Sequence, residues 1–375
     1  MLAVTNGRIL TVSHGIIPSG TILVDDAGKI QAVGAAVQVP PGAQVLDAGG
    51  RTVTPGLVDA YSHLGLVNQG LGWAGADAHE STDPNTAHVR VLDGIYPFDT
   101  GFADARCGGV TTVQVVPGEG NVLSGEALAL KLRAVGVADQ MVLKRPTGVG
   151  AGLGEEPKGH YGGNKKMPAT RMGIAAVLRE ALVKAQEYKT DKGRDIRSEA
   201  LLPVLKGEVP LLVNAHRADD IATALRIGRE FGIRIILTGA TEGFKVADLI
   251  AEAGVPVAAG PSLAARGHQE AKEVGFHLPV ALLKAGVKTA IVTGHPGLQQ
   301  YLNIAAGLAA ADGFGEEEAL RAVTLTPAEL IGVADRVGSI ETGKDADLVL
   351  WNGDPFELMT TVAWTMVEGK VVYAC

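Results

Sequence analysis

The middle of the chain alternates short apolar runs with helical stretches, and that alternation restricts the fold more than any other feature. Residues 110–116, 127–131, 141–143, 211–215, 234–237, 255–258 and 288–293 read as buried strands. Helices are predicted between them at 171–188, 218–231, 245–252 and 280–283, with a further long helical stretch after Gln299. Apolar strands separated by helices call for a parallel sheet covered on both faces. With residues 57–60 added, the strands number about eight, the count a (β/α)8 barrel requires. A doubly wound open sheet is the alternative, but no glycine-rich dinucleotide fingerprint follows a strand where such a sheet would need it.

The two chain ends have a different texture. Residues 5–12, 20–24 and 29–33 read as strands, the last pair separated by the Asp26-Ala-Gly28 turn, and residues 346–351, 365–370 and 371–373 repeat the pattern. Domain termini often lie close together, so the expectation is one small β-sandwich built from residues 1–54 and 337–375 around a barrel of residues 55–336.

Composition excludes several classes. Hydrophobic residues make up 46% and charged residues 20%, enough apolar material for a large core. A formal net charge of −8, with no basic run, argues against nucleic acid or an anionic membrane surface as partner. No apolar run reaches the ~18 residues of a membrane span, and the N-terminus lacks the basic-then-apolar layout of a signal peptide. Cys107 and Cys375 are too far apart in sequence to suggest a disulfide framework. A cytoplasmic protein is expected.

The chemistry is expected at the end of the first barrel strand. In Val53-Thr-Pro-Gly-Leu-Val-Asp-Ala-Tyr-Ser-His63 a short buried strand is set off by Pro55-Gly56 and exits into Tyr61, Ser62 and His63. Side chains alternate along a strand, so Tyr61 and His63 point to one side. The C-terminal end of a barrel strand is where such folds place their reacting groups.

These residues carry a resemblance. Val53-Thr-Pro-Gly-Leu-Val-Asp-Ala60 resembles the start of the barrel in the amidohydrolase superfamily, and Val337-Gly-Ser-Ile-Glu-Thr-Gly-Lys-Asp-Ala-Asp-Leu-Val-Leu-Trp351 with Gly353-Asp-Pro355 is similar to its return into the β domain. Gly109-Val-Thr-Thr-Val-Gln-Val-Val-Pro117, Asn214-Ala-His-Arg-Ala-Asp-Asp220 and Thr241-Glu-Gly243 look like the imidazolonepropionase-related branch. The resemblance implies hydrolysis of C–N bonds by one or two divalent metals. Ligands would be a His-x-His pair on the first strand, a lysine or glutamate on the fourth, and histidines on the fifth and sixth. An aspartate on the eighth strand would take the proton of the metal-bound water.

Position by position the chain departs from that pattern. Tyr61 replaces the first histidine of the pair, Gly239 the sixth-strand histidine and Gly294 the eighth-strand aspartate, and Gly150 stands where a relative would carry lysine. His63, His216 and Glu155 remain as candidate ligands of a reduced site holding no metal or one divalent ion, zinc first. His295 is the candidate proton shuttle, and Tyr61, Arg217 and Tyr161 are candidate substrate contacts. Each has a plainer reading. The histidines can be leftovers hydrogen-bonded in the barrel mouth, and Glu155 a solvated loop residue. His295 can cap its turn, and Arg217 can pair with Asp219 or Asp220. Tyr161 lies in a polar segment, residues 160–167, that reads as a mobile loop able to cover the mouth. The expected function is therefore an amidohydrolase relative with weak or no hydrolytic activity that binds a small amide-like ligand. The alternative is a hydrolase of non-peptide C–N bonds using a mononuclear site. Self-association is compatible with either.

Overall fold

The structure is a computed structural model and describes residues 1–375 apart from the side chain of Lys192. Five strands come first: β1 (Leu2–Leu10), β2 (Ile16–Val24), β3 (Ile30–Gly34), β4 (Gln44–Asp47) and β5 (Thr52–Pro55). The barrel strands are β6 (Leu57–Ser62), β7 (Val110–Val115), β8 (Gly125–Lys131), β9 (Val142–Gly152), β10 (Leu211–Ala215), β11 (Ile235–Gly239), β12 (Val257–Ala259) and β13 (Thr289–Ile291). The chain ends in β14 (Leu348–Trp351), β15 (Val362–Val367) and β16 (Lys370–Ala374). The helices are α1 (Thr100–Cys107), α2 (Glu155–Gly163), α3 (Arg171–Gln186), α4 (Ile196–Leu205), α5 (Ala218–Phe231), α6 (Ala247–Glu252), α7 (His277–Lys284), α8 (Leu302–Ala309), α9 (Glu316–Ala322) and α10 (Leu325–Leu330).

Strands β6 to β13 lie side by side in sequence order as one eight-stranded sheet, a (β/α)8-type barrel. The seam between β13 and β6 is bridged by Gly294 N–H donating to the Tyr61 carbonyl (3.2 Å) and Thr293 N–H donating to Asp59 Oδ1 (3.3 Å). Strand alternation divides the core in two. Leu211, Val213, Ala215 and Leu237 face outward against Ile174 and Leu178 of α3 and Ile221 and Leu225 of α5. Leu212, Ile236, Ala258 and Ala290 fill the barrel interior with Val58 and Ala60. The helices end as their sequences require: α5 stops at Gly232, whose φ of 63° is the left-handed cap that glycine adopts without strain.

Three expectations are corrected. The barrel is not uniformly parallel, because β8 runs antiparallel to both β7 and β9. Only residues 116–124 separate β7 from β8, fewer than the dozen or so that a parallel crossover needs, so the chain turns back as a hairpin. The run at 141–143 is the start of the long β9 and not a strand of its own. The first half of the segment read as a mobile loop over the mouth, residues 160–163, is the end of helix α2, which is begun by Glu155 and Glu156, where carboxylates suit the positive end of the helix dipole.

The chain ends build the second sheet together, as their texture predicts. Its order is β16-β15-β14-β5-β1-β2-β3, with β4 also on β1. Strand β14 pairs antiparallel with β5, setting Leu350 opposite Val53. Barrel and sheet are joined through a buried lysine: Lys131 Nζ on β8 lies 2.7 Å from both Asp345 and Asp347, and Arg336 and Lys29 also pair with Asp345. No helix among the described residues is long and apolar enough to cross a membrane.

Candidate functional site

Tyr61 and His63 reach the same space by a local irregularity. Alternation puts Val58 and Ala60 inside the barrel, yet Tyr61 joins that inner cluster too, because the pairing of β6 with β7 shifts register between Asp59 and Ser62. Such a bulge re-aims the side chains beyond it. The two rings meet edge to face with centroids 5.5 Å apart.

Both turn toward Glu119, on the loop after β7. The Tyr61 hydroxyl donates to Glu119 Oε1 at 2.5 Å, and His63 Nε2 lies 3.1 Å from the same oxygen. His63 Nδ1 donates to the Val116 carbonyl at 2.7 Å, so both ring nitrogens face acceptors and the imidazolium satisfies both. Burial disfavours that charge, but the Glu119 carboxylate and the Val116 carbonyl outweigh it and raise the His63 pKa above its ordinary value. Burial alone would lift Glu119, and the His63 charge with the His63 and Tyr61 bonds instead hold it far below the usual carboxylate range. Burial and the neighbouring carboxylate push the Tyr61 phenol well above its normal pKa. The cluster is a carboxylate held between a neutral phenol and an imidazole whose protonated form that carboxylate favours.

The loop bearing Glu119 is fixed by close approach on both sides. A Cβ on Gly118 would lie 2.2 Å from the His79 ring, and one on Gly152 would lie 2.2 Å from the Glu119 carbonyl. Gly120 N–H donates to His79 Nδ1 at 3.2 Å. Beneath the cluster Asp59 is fully buried, bonded by Thr293 and by the Tyr61 N–H, and burial raises its pKa to about 6.

His216 leaves β10 on the far side of Tyr61, past Asn214 and Thr238, which border the phenol. Its Nδ1 sits 2.6 Å from Thr241 Oγ1, and burial lowers its pKa to about 4, so the ring is neutral with Nε2 unprotonated when Nδ1 donates. The ring lies over Gly239, where a Cβ would come within 2.7 Å of it and where φ is +80°. His268, on the loop after β12, stands edge-on to His216 with centroids 5.9 Å apart.

The other sequence-predicted residues fall elsewhere. The Glu155 carboxylate is bonded to His268 Nδ1 and accepts from Glu270 N–H at 3.1 Å, while Arg171 ties Glu270 to Asp220. Glu155 therefore belongs to a second network that reaches His216 only through His268. His295 is exposed, with Nδ1 2.6 Å from the Pro296 carbonyl. Arg217 is engaged with Asp219 through two bonds of 3.0 and 2.9 Å. Tyr161 is buried and donates to Asn121 Oδ1 at 2.5 Å, with its pKa raised to about 12, chiefly by burial. At Gly150 a Cβ would lie 2.4 Å from Ser124 Oγ, and Gly294, with φ +55°, would press one on Pro261. Among the described residues no three His, Cys, Asp or Glu side chains converge in an arrangement that could hold a metal. Sequence reasoning missed Glu119, although an acid flanked by glycines just past a barrel strand was a usable signal.

A family profile described as "Amidohydrolase family" matches residues 52–372. The crystal structure of an amidohydrolase from Thermotoga maritima MSB8 superposes with a TM-score of 0.96 at 36% identity, covering 100% of both chains. Amidohydrolase tasK of Hapsidospora irregularis is 28% identical over 90% of this chain but only 38% of its own length, so the chain spans well under half of that relative. An imidazolonepropionase from Sphingopyxis alaskensis is 25% identical over 98% of this chain and 96% of its own.

Proposed function

This chain belongs to the amidohydrolase family, and from that footing we propose that it is a member whose metal centre has given way to an internal ion pair, leaving weak or no metal-dependent hydrolysis. The observation that carries this reading is the Glu119 carboxylate bonded to both Tyr61 and His63 at the mouth of the first strands. The donor set supports it. A metal ligand must offer a free lone pair, and His63 directs one nitrogen to Val116 and the other to Glu119. Glu155 is bonded to His268 and Glu270. Of these three candidate ligands only His216 keeps a nitrogen without a named partner, and one imidazole does not hold zinc. The residues present do not fit the group the family's pattern implies.

The glycines point the same way. A histidine at 239 would need the space the His216 ring fills, and an aspartate at 294 would adopt a left-handed backbone. The Glu119 carboxylate favours the protonated form of His63, and in that form the imidazole places a positive charge where the family's pattern would place a metal. In this reading the barrel mouth binds a small amide-like molecule and does not cleave it.

A second reading rests on His216, which burial keeps neutral at physiological pH as a ligand must be. If Glu119 and His63 separated to join it, the chain would be a hydrolase of non-peptide C–N bonds, in line with relatives named imidazolonepropionase. Metal analysis of untagged protein by plasma mass spectrometry decides between the two. Background zinc after incubation with excess zinc, and no turnover of amides, lactams and cyclic amides, is the expected result. About one zinc per chain, with turnover lost in His216→Ala, would overturn the proposal.

A further inference from the structure

The two cysteines are far apart in sequence, and the fold carries them to one place. Cys107 ends α1, a barrel helix, and Cys375 follows β16, the edge strand of the small sheet. The Thr365 hydroxyl on β15 donates to the Arg106 carbonyl at 2.7 Å, docking the end of α1 on this sheet. Thr365 stands directly opposite Tyr373 of β16, so the two side chains share a face. Cys375 lies two residues beyond Tyr373, with its N–H bonded to the Ala363 carbonyl at 3.0 Å, which extends the pairing and keeps its side chain on that face. Tyr373 packs into the cluster that contains Phe102 and Ala105 of α1. The Tyr373 phenol is thus flanked by Cys107 on the helix and Cys375 on the strand, and both thiols are exposed and unpaired.

We propose that Cys107 and Cys375 form a reversible disulfide, a modification site that ties helix α1 of the barrel to the edge strand of the small sheet. The proposal is independent of the reading of the barrel mouth. The oxidant is a peroxide. One thiolate attacks a peroxide oxygen, the O–O bond breaks, and hydroxide leaves with a sulfenic acid formed. The second thiolate attacks that sulfur, the S–O bond breaks, hydroxide leaves again and the S–S bond forms. The protons released by the two thiols convert both hydroxides to water, so the pair of sulfurs loses two electrons and the peroxide gains them. The Tyr373 hydroxyl can donate to either thiolate. Its contact with Cys107 first, and then burial and Cys375, keep the phenol protonated and so a donor.

Folded, reduced protein treated with hydrogen peroxide at equimolar concentration tests this. The expected result is loss of two hydrogen masses per chain, disappearance of both titratable thiols, and a cross-linked proteolytic peptide joining Cys107 to Cys375. The melting temperature should rise and return when a dithiol reductant is added. Cys107→Ser and Cys375→Ser should each abolish the cross-link and the shift while leaving the reduced melting temperature unchanged. Sulfinic or sulfonic acids on separate cysteines, a disulfide between two chains, or a cross-link formed only in denaturant would each overturn the proposal.

Discussion

Glu119 carries more of the site's physics than any other side chain. Removing one partner of a buried ion pair leaves the other charge uncompensated, so Glu119→Gln is expected to cost about 3 kcal/mol of stability in urea denaturation. The sign of the pH dependence follows from the two shifts. His63 is raised, so its contribution is complete below its unfolded pKa of about 6.5 and is lost as pH rises through the folded value. Glu119 is depressed, so its contribution is present above an unfolded pKa of about 4.3 and survives until strong acid. The urea midpoint of the wild type should therefore decline as pH rises past about 6.5, and that slope should shrink in Glu119→Gln; an equal slope in both would show that His63 does not depend on Glu119. Asp59 acts in the same direction as His63, over a lower interval. Its pKa is raised to about 6, so its carboxylate form lowers stability as pH climbs from about 4 to about 6, and Asp59→Asn should flatten that interval. Tyr61, His63 and His216 were legible because each sits in or beside a contiguous strand motif. Glu119 carried only the weaker signal of an acid between two glycines past β7, because its contact with Tyr61 and His63 of the first-strand segment is one that no local pattern records.

At the scale of elements, the strands and helices of the barrel could be read from apolar periodicity, and α5 was read to the residue because its apolar face and Gly232 both mark it. The direction of β8 was lost because a short apolar run looks alike in parallel and antiparallel pairing. The length of the 116–124 connection held the answer. Helix α2 was missed since its Gly159, Gly162 and Gly163 read as loop, whereas the Tyr161–Asn121 bond and tertiary packing hold it. Tyr161→Phe is expected to lose about 1 kcal/mol, measured by thermal or urea unfolding. Strand β11 ends at a backbone turn that admits no side chain: Gly239→Ala should destabilise by about 2 kcal/mol and displace the His216 ring, visible as a shifted imidazole resonance. A neutral Gly239→Ala would mean that His216 moves aside freely, and would strengthen the metal-binding reading.

At the scale of the whole molecule, barrel and small sheet are held together around Lys131, whose side chain is fully buried between Asp345 and Asp347. Arg336, Lys131 and Lys29 together overcome burial to hold Asp345 down to about 2. Asp347 has only Lys131 and the Glu368 N–H, and burial leaves its pKa raised. Lys131→Met should therefore cost about 3 kcal/mol in denaturant unfolding, and adding Asp347→Asn should restore part of it by removing the stranded charge. Full additivity of the two changes would show that the residues do not interact. The composite nature of the sheet was legible from the matching texture of the chain ends, but this junction was not, since nothing local links residue 131 to residue 347.

That sheet has a consequence for how the protein is made. Strand β5 pairs with β14, Thr52–Pro55 against Leu348–Trp351, so its partner emerges only after the whole barrel has been synthesised. At about 5–20 residues per second a nascent chain waits roughly 15–60 seconds with that strand edge open. An unpaired apolar edge is a template for pairing with another chain. The newborn protein is thus most vulnerable to its neighbours on the ribosome just before its last strands appear, and a chain stopped at residue 336 should accumulate as aggregate where the full chain does not.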